Sequence, residues 1–386
     1  MPDIKQIANI LNTVTKEATG LESIVTEDLS NIVDVGKAIF DATDTERYAK
    51  TLVDRIGKTI FAARTYQGRA PSVLMDGWEY GSILQKISYK SLPEAEENES
   101  WELQDGQTYN QDQFYGPKVM AKYFNQKTSY EIPISRSDIA VRSAFNGPGE
   151  METFFALIET QIINSKTEKN DELIMRTINN MSAETIHSEF GAAELNTKSG
   201  VRAVNLLYLY NTATGNALTV ANCLEDVGFL RFASRVIFNV KTRMSNMSTV
   251  YNEGGAQRFT PEDRLHLVLH NDFETAANFN LQSTTFHDLY TALPNHSTVA
   301  KWQASGTAFD FADTTKIDVK TVGGNAVTAT GIIGTMFDRD ALGVANFNPR
   351  TTSHYNAKTE FTSMWHKVDA SYYNDFNENF VVFFVA

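Results

Sequence analysis

Residues 149–181 read GEMETFFALIETQIINSKTEKNDELIMRTINNM, and the fold turns on how this stretch is interpreted. Met151, Phe154, Phe155, Ile158 and Ile162 recur at the three- and four-residue spacing of one helical face, and Ile174, Ile178 and Met181 resume it after a gap. Pro148 with Glu150 and Glu152 marks the start, because a fixed φ and first-turn carboxylates suit a helix N-terminus. As one helix it is about 50 Å long, at ~1.5 Å per residue. Its centre, Asn164 to Glu172, is almost wholly polar. The spacing therefore predicts a spine crossing a thin, plate-shaped subunit. The competing expectation is an ordinary amphipathic helix interrupted near Ser165.

Upstream, residues 1–62 predict an N-terminal arm of short helices. Ile4, Ile7, Leu11 and Val14 share one face, Leu29, Ile32, Val33 and Ile39 form a second stripe, and Thr45 to Ile60 continues with Tyr48, Leu52, Val53 and Ile56 inward. Such an arm has too little apolar surface for its own core and must lie on another part of the protein or on a neighbour. Residues 63–135 predict an extended hairpin. Ile83 to Leu92 and Lys118 to Ile134 read as strands around a polar loop, Pro93 to Pro117, whose Glu94, Glu96, Glu97, Glu99, Glu102 and Asp105 carry six acids and no base. Two strands alone are marginal in water. Ile83, Ile87, Tyr89, Val119, Tyr123 and Phe124 thus call for cover, from a neighbouring subunit or from the chain itself.

Downstream, residues 136–200 hold the spine, and 201–335 form a second unit. Val204 to Tyr210 suits strand or helix equally. Cys223 to Met247 predicts a helix with Leu224, Val227, Phe229 or Leu230, Phe232, Val236, Val240 and Met244 on one side. Leu265 to Leu269 predicts a buried strand, followed by a helix with Asp272 as N-cap. Phe311 to Val322 predicts a strand turning at Gly323-Gly324, and Ala329 to Val344 a strand pair around Asp338-Arg339-Asp340. Finally, Phe361 to Tyr373 and Phe380 to Val385 predict strands within 336–386 that return beside the spine. Trp365, Tyr373, Phe380 and Phe383 are expected to share a core with Phe154 and Phe155. No internal repeat and no Gly/Ser-rich or Pro-rich linker divides the chain, which favours one α+β fold whose lobes exchange segments.

Composition narrows the function. The chain of 386 residues is 42% apolar and 21% charged, as globular proteins are. No apolar run exceeds the seven residues Phe380 to Ala386, too few to span a bilayer as a helix. The opening Met-Pro-Asp-Ile-Lys-Gln lacks a basic segment before an apolar one, so no secretory signal and cytosolic synthesis are expected. A single Cys223 excludes an intramolecular disulfide framework, and small buried hydrophobe is its expected role. The net charge of −13 argues against tight binding of nucleic acid through its phosphates, though not against a wall that encloses it.

Motifs for chemistry are missing. The phosphate loop, the dinucleotide fingerprint and the nucleophile elbow do not occur. His266 and His270 alternate with Leu265, Leu267 and Leu269 as in a strand, and no glutamate follows His266 to act as a zinc-protease base. His287, His296, His354 and His366 are scattered. The Glu94 to Glu102 cluster lacks the spacing and glycine of a calcium loop. Asp338 and Asp340 around Arg339 predict an ion-paired turn. No catalytic residue, cofactor or metal site is expected.

The order of arm, extended hairpin, spine helix, central unit and returning strands resembles the major capsid proteins of tailed bacteriophages, whose Hong Kong 97 fold is shared by herpesvirus floors and encapsulins. It covers essentially the whole chain. The local likeness is strongest in GIIGTMFDRDALGV at 331–344, NPRTT at 348–352 and FTSMWHKVDASYY at 361–373, with LHLVLHNDFE at 265–274 similar to the opening of the family's axial domain. These segments look like capsid proteins of phages of low-GC Gram-positive bacteria. The resemblance implies a peripheral domain at 136–200, an axial domain at 201–335, and self-assembly as hexamers and pentamers into an icosahedral shell around double-stranded DNA. It also implies scaffolding and portal partners and assembly in the host cytoplasm. Some relatives cross-link hairpin lysines to neighbouring asparagines. Lys86, Lys90 and Lys118 lie on this hairpin, but no acceptor stands out and no cross-link is expected. An encapsulin-like compartment and a phage tail protein are the alternatives.

Overall fold

A computed structural model describes residues 4–19, 25–42, 84–93, 118–191, 193–282, 296–303 and 310–386 continuously, with isolated positions between them. The helices are α1 (Ile4–Thr19), α2 (Ile32–Ala42), α3 (Asp138–Ala144), α4 (Pro148–Phe190), α5 (Leu206–Thr214), α6 (Val227–Met244), α7 (Asn271–Gln282) and the single turn α8 (Phe311–Thr314). Short strands are β1 (Leu74–Met75), β2 (Leu84–Tyr89), β3 (Val119–Phe124), β5 (Ala203–Asn205), β6 (Leu265–His270), β7 (Ser297–Val299), β8 (Ile317–Lys320) and β9 (Ala326–Ala329). The remaining strands are β4 (Lys127–Ser137), β10 (Ile332–Asp338), β11 (Leu342–Asn356), β12 (Phe361–Asn374) and β13 (Phe380–Phe384).

The spine α4 is one unbroken helix of 43 residues, about 64 Å long at ~1.5 Å per residue. It passes the expected end at Met181 because Ala183, Ile186 and Phe190 continue the buried face, and it stops at Gly191. Its polar centre is not idle. Asn170 is buried, and its Oδ1 accepts from Asn346 Nδ2 at 2.8 Å and Tyr130 Oη at 3.4 Å. Asn374 Nδ2 donates to the Thr177 carbonyl at 2.9 Å. Polar residues in mid-spine are thus the docking points of β4, β11 and β12.

Those strands belong to a four-stranded sheet in the order β1-β11-β12-β4. Asn348 sits at φ 53° in a register shift between Phe347 and Arg350, where Pro349 has no N–H to give to the ladder. The NPRTT segment is therefore a bulge. Asn348 and Arg350 both reach back across it to the buried Asp369, whose carboxyl they hold well below the usual carboxylate range together with Ser129.

The second sheet runs β5-β13-β10-β6-β7, mixing parallel and antiparallel pairs. β13 is buried on both faces. Phe380, Val382 and Phe384 join the core that holds α1, α2 and the spine, whereas Val381, Phe383 and Val385 join a second core under α5, α6 and α7. The C-terminal strands consequently serve two units: β11 and β12 lie beside the spine, while β10 and β13 form the centre of the other sheet. Gly331, at φ 76° before β10, lies so close to this strand that a Cβ would meet the Val385 carbonyl oxygen at 2.1 Å.

Several expectations are corrected. Lys118 to Ile134 is two strands broken at Asn125-Gln126; only β3 pairs with β2, and β4 crosses to β12. Trp365 points from the half-buried face of β12, because alternation buries Met364, His366 and Val368 instead. Phe383 shares the second core, not that of Phe154 and Phe155. In α6, Asp226 caps the start through Phe229 N–H, and the buried stripe of Phe229, Ala233, Ile237 and Val240 leaves Phe232 and Val236 half-buried. Asp272 lies inside the first turn of α7. Phe311 opens a helical turn, and only Ile317–Lys320 is strand. Of the two places expected for the arm, it takes the one on its own chain: Ile7, Leu11, Val14, Ile32 and Ile39 enter the spine core. Most of Thr45 to Ile60 lies outside the described residues.

Candidate assembly interface

The hairpin β2–β3 has two unlike faces because side chains alternate along each strand. Leu84, Lys86, Ser88, Met120, Lys122 and Phe124 point inward, and Gln85, Ile87, Tyr89, Val119, Ala121 and Tyr123 point outward. Lys86 and Lys122 stand directly opposite one another on the inner face. Two cations so placed repel unless acids lie between them or beneath.

The acids come from the turn between β12 and β13. Lys86 Nζ lies 2.9 Å from Asp375 Oδ2 and 2.8 Å from Glu378 Oε1, and donates to the Asp340 carbonyl at 3.1 Å. Lys122 Nζ reaches Asp375 Oδ1 at 2.9 Å, and Arg258 Nε reaches Glu378 at 3.3 Å. Asp375 is 1% exposed. Burial alone would raise its pKa, but Lys86 and Lys122 outweigh that and lower it. For Lys86 burial works downward, and Asp375 and Glu378 overcome it to give a raised value. The turn itself is boxed in: Glu253 and Gly254 N–H groups both donate to the Phe376 carbonyl, and Asn379 Nδ2 donates to Thr260 Oγ1. Phe124 against Tyr373, with centroids 5.0 Å apart, extends the seam.

Chemically this is a clamp. It fixes the base of the hairpin on its own subunit while leaving the outer face bare, with Ile87 66%, Tyr89 59%, Val119 57% and Tyr123 65% exposed. Phe114 and Tyr115 are also exposed. Of the residues expected on the apolar face, Phe124 belongs to the inner, covered face and Ile83 lies outside the described residues. Of the three hairpin lysines named from the sequence, Lys86 is consumed by the clamp together with Lys122, whereas Lys90 and Lys118 are exposed where the strands part. Glu94, Glu96, Glu99 and Glu102 lie outside the described residues. Sequence reading missed Asp375 and Glu378, although two inward lysines on one hairpin face were a visible demand for distant acids.

The described histidines do not gather. His270 is fully buried at the end of β6, its Nδ1 accepting from Asp272 N–H at 3.3 Å, and burial lowers its pKa. His266, two strand-face repeats away, lies tilted against the Phe337 ring with centroids 5.9 Å apart. His296 pairs with Glu274, His366 with Thr351, and His354 is exposed; His287 lies outside the described residues. Among the described residues, no three His, Cys, Asp or Glu side chains are placed to hold a metal ion. Arg264 bonds Asp340 and lies 3.7 Å from Asp338, so the 338–340 turn is ion-paired through Arg264 rather than Arg339. Cys223 is buried, which pushes its thiol up to about 11. No described helix is long and apolar enough to cross a membrane.

Comparison with known proteins gives one family and one fold. The family model for the Phi29-like phage major capsid protein matches residues 8–384. Among solved structures, a chain from the head fibre and inner core protein structure of native bacteriophage P68 matches with a TM-score of 0.51 at 11% identity, over 84% of this chain and 86% of that one. A chain from the capsid structure of Staphylococcus phage Andhra matches at 11% identity and TM-score 0.49 over the same shares. No curated protein matches in sequence.

Proposed function

Because the chain belongs to the family of Phi29-like phage major capsid proteins, whose members build the shell of the phage head, we propose that it tiles as hexamers and pentamers in which each hairpin overlaps the next subunit. The fold is of the Hong Kong 97 kind. The observation that carries the overlap is the bare outer face of β2–β3. Four large apolar side chains more than half exposed on a two-stranded ribbon mark a surface made to be covered. At ~25 cal/mol per Å² of apolar surface, the overlap contributes several kcal/mol per subunit and repeats around the shell.

In this reading the spine with the β1-β11-β12-β4 sheet is the peripheral domain, and the β5-β13-β10-β6-β7 sheet with α5, α6 and α7 is the axial domain. The role is structural and involves no reaction. The net charge of −13 suits an inner wall along which packaged double-stranded DNA slides. Scaffolding and portal proteins are the expected partners, and assembly takes place in the host cytoplasm. Nothing found favours an encapsulin-like compartment or a tail protein.

The test is a double variant, Ile87→Ser with Tyr123→Ser, beside the parental chain. Both should be folded, with matching denaturant midpoints. The parental protein should form closed shells by negative-stain microscopy and sedimentation, and the variant should remain as small subunits. Normal shells from the variant would overturn the overlap.

A further inference from the structure

The short link between α3 and the spine carries the chain's single Asn-Gly pair, Asn146-Gly147. An asparagine carboxamide and the next backbone nitrogen can close a five-membered ring, and a following glycine has no side chain to hinder that closure. The fold leaves this pair free to react. Asn146 is exposed, and among the described residues its carboxamide makes no hydrogen bond. The Gly147 N–H is likewise unbonded among them, since Gly147 precedes the first turn of the spine and only its carbonyl is used, by Met151 N–H at 3.1 Å. Around Gly147 nothing comes within 4 Å of where a Cβ would stand. Other asparagines are placed differently. The amides of Asn170, Asn205, Asn252 and Asn374 hold structural hydrogen bonds. Asn164, followed by Ser165, lies inside the spine, where the Ser165 N–H belongs to the helical ladder.

We propose that Asn146 is a site of spontaneous deamidation, and that its isoaspartyl product loosens the joint between arm, α3 and spine. In the first step the Gly147 nitrogen bonds to Asn146 Cγ, the Cγ–Nδ2 bond breaks, and ammonia leaves with the proton that Gly147 gives up. Water then opens the succinimide. Attack at Cγ restores the main chain and leaves aspartate. Attack at the main-chain carbonyl carbon leaves isoaspartate, whose chain runs through Cβ and Cγ and is one methylene longer. The two products differ in effect. Aspartate adds negative charge just ahead of a helix N-terminus that has no side-chain cap, which suits the macrodipole. The extra methylene of isoaspartate enters a link of only three residues, 145–147. Phe145 in that link has no slack: it is buried, and it sits so close to α2 that a Cβ on Gly36 would meet its ring at 2.8 Å.

The test uses the full chain, held folded in mildly alkaline buffer at physiological temperature and sampled over days. The tryptic peptide 143–166 contains both Asn146 and Asn164, so each sample carries its own control. Fragment masses should show one mass unit gained at Asn146 and none at Asn164, and an isoaspartyl methyltransferase should label the peptide. Gly147→Ala should slow the gain roughly tenfold, because its methyl group crowds the attacking nitrogen. That variant should fold, as Gly147 has an extended φ of 178° and open space around it. Asn146→Gln, which needs a larger ring, should gain nothing at 146. No gain at Asn146, or one no faster than at Asn164, overturns the site, and so does a rate that Gly147→Ala leaves unchanged. For the joint, limited trypsin should cut the aged chain after Arg142 faster than it cuts fresh Asn146→Asp. Equal cutting overturns the loosening.

Discussion

Lys86 Nζ and Asp375 Oδ2 lie 2.9 Å apart, joining the first strand of the hairpin to the last turn of the chain. The pair, with Glu378 and Lys122, makes the hairpin part of its own subunit's framework before any neighbour arrives. Asp375→Asn removes the charge on which two lysines converge. It should lower unfolding free energy by about 3 kcal/mol, as breaking a buried pair takes the acid from Lys122 and leaves Lys86 with Glu378 alone. Urea midpoints would show it, and proteolysis should become faster between residues 84 and 124.

The same cluster predicts a pH dependence. Asp375 is depressed in the folded state, so its contribution is full above its unfolded pKa of about 3.9 and disappears as pH falls through the lower folded value. Lys86 is raised, so its contribution is full below about 10.4 and disappears as pH rises through the raised value. Stability should therefore hold across the neutral range and drop at both extremes. In Asp375→Asn the acid side of the profile should flatten, leaving the parts due to Asp369 and to the buried His270 and His266. An unchanged acid slope would show that Asp375 is not the titrating group.

Gly331→Ala should be poorly tolerated. A Cβ there has both a positive φ and the Val385 carbonyl at 2.1 Å, with no flexible side chain to move away. A loss of about 2–4 kcal/mol is expected, roughly the left-handed penalty plus displacement of β13 from β10. Thermal unfolding would measure it.

Met364 and Trp365 are neighbours on β12 facing opposite ways. Met364→Ala should cost about 2–5 kcal/mol because the side chain is fully buried. Trp365→Ala should cost clearly less, although the ring is larger. Equal costs would mean that the strand faces are reversed.

Much of the fold was legible in the chain. The stripe from Met151 to Met181 foretold the continuous spine, and the order of arm, hairpin, spine and returning strands foretold the family. Helix periodicity is local, and an apolar face repeated over so many turns tolerates few alternatives. Parity and pairing were less legible. On β12 nothing local says whether Met364 or Trp365 faces the spine, since both are apolar and a one-residue shift exchanges the faces. The site divided the same way. Ile87, Tyr89, Val119 and Tyr123 announced an unfilled apolar face from their spacing alone.

The sequence by itself determined that the chain is one acidic α+β protein with a spine helix and an outlying hairpin, because composition and short-range periodicity encode those features directly. Only the tertiary structure decided that β4 leaves the hairpin for β12, that β13 separates two cores, and that Lys86 and Lys122 are neutralised by Asp375 and Glu378. Those outcomes depend on groups more than 200 residues apart being desolvated together. The free energy of such burial belongs to the assembled arrangement and to no single segment.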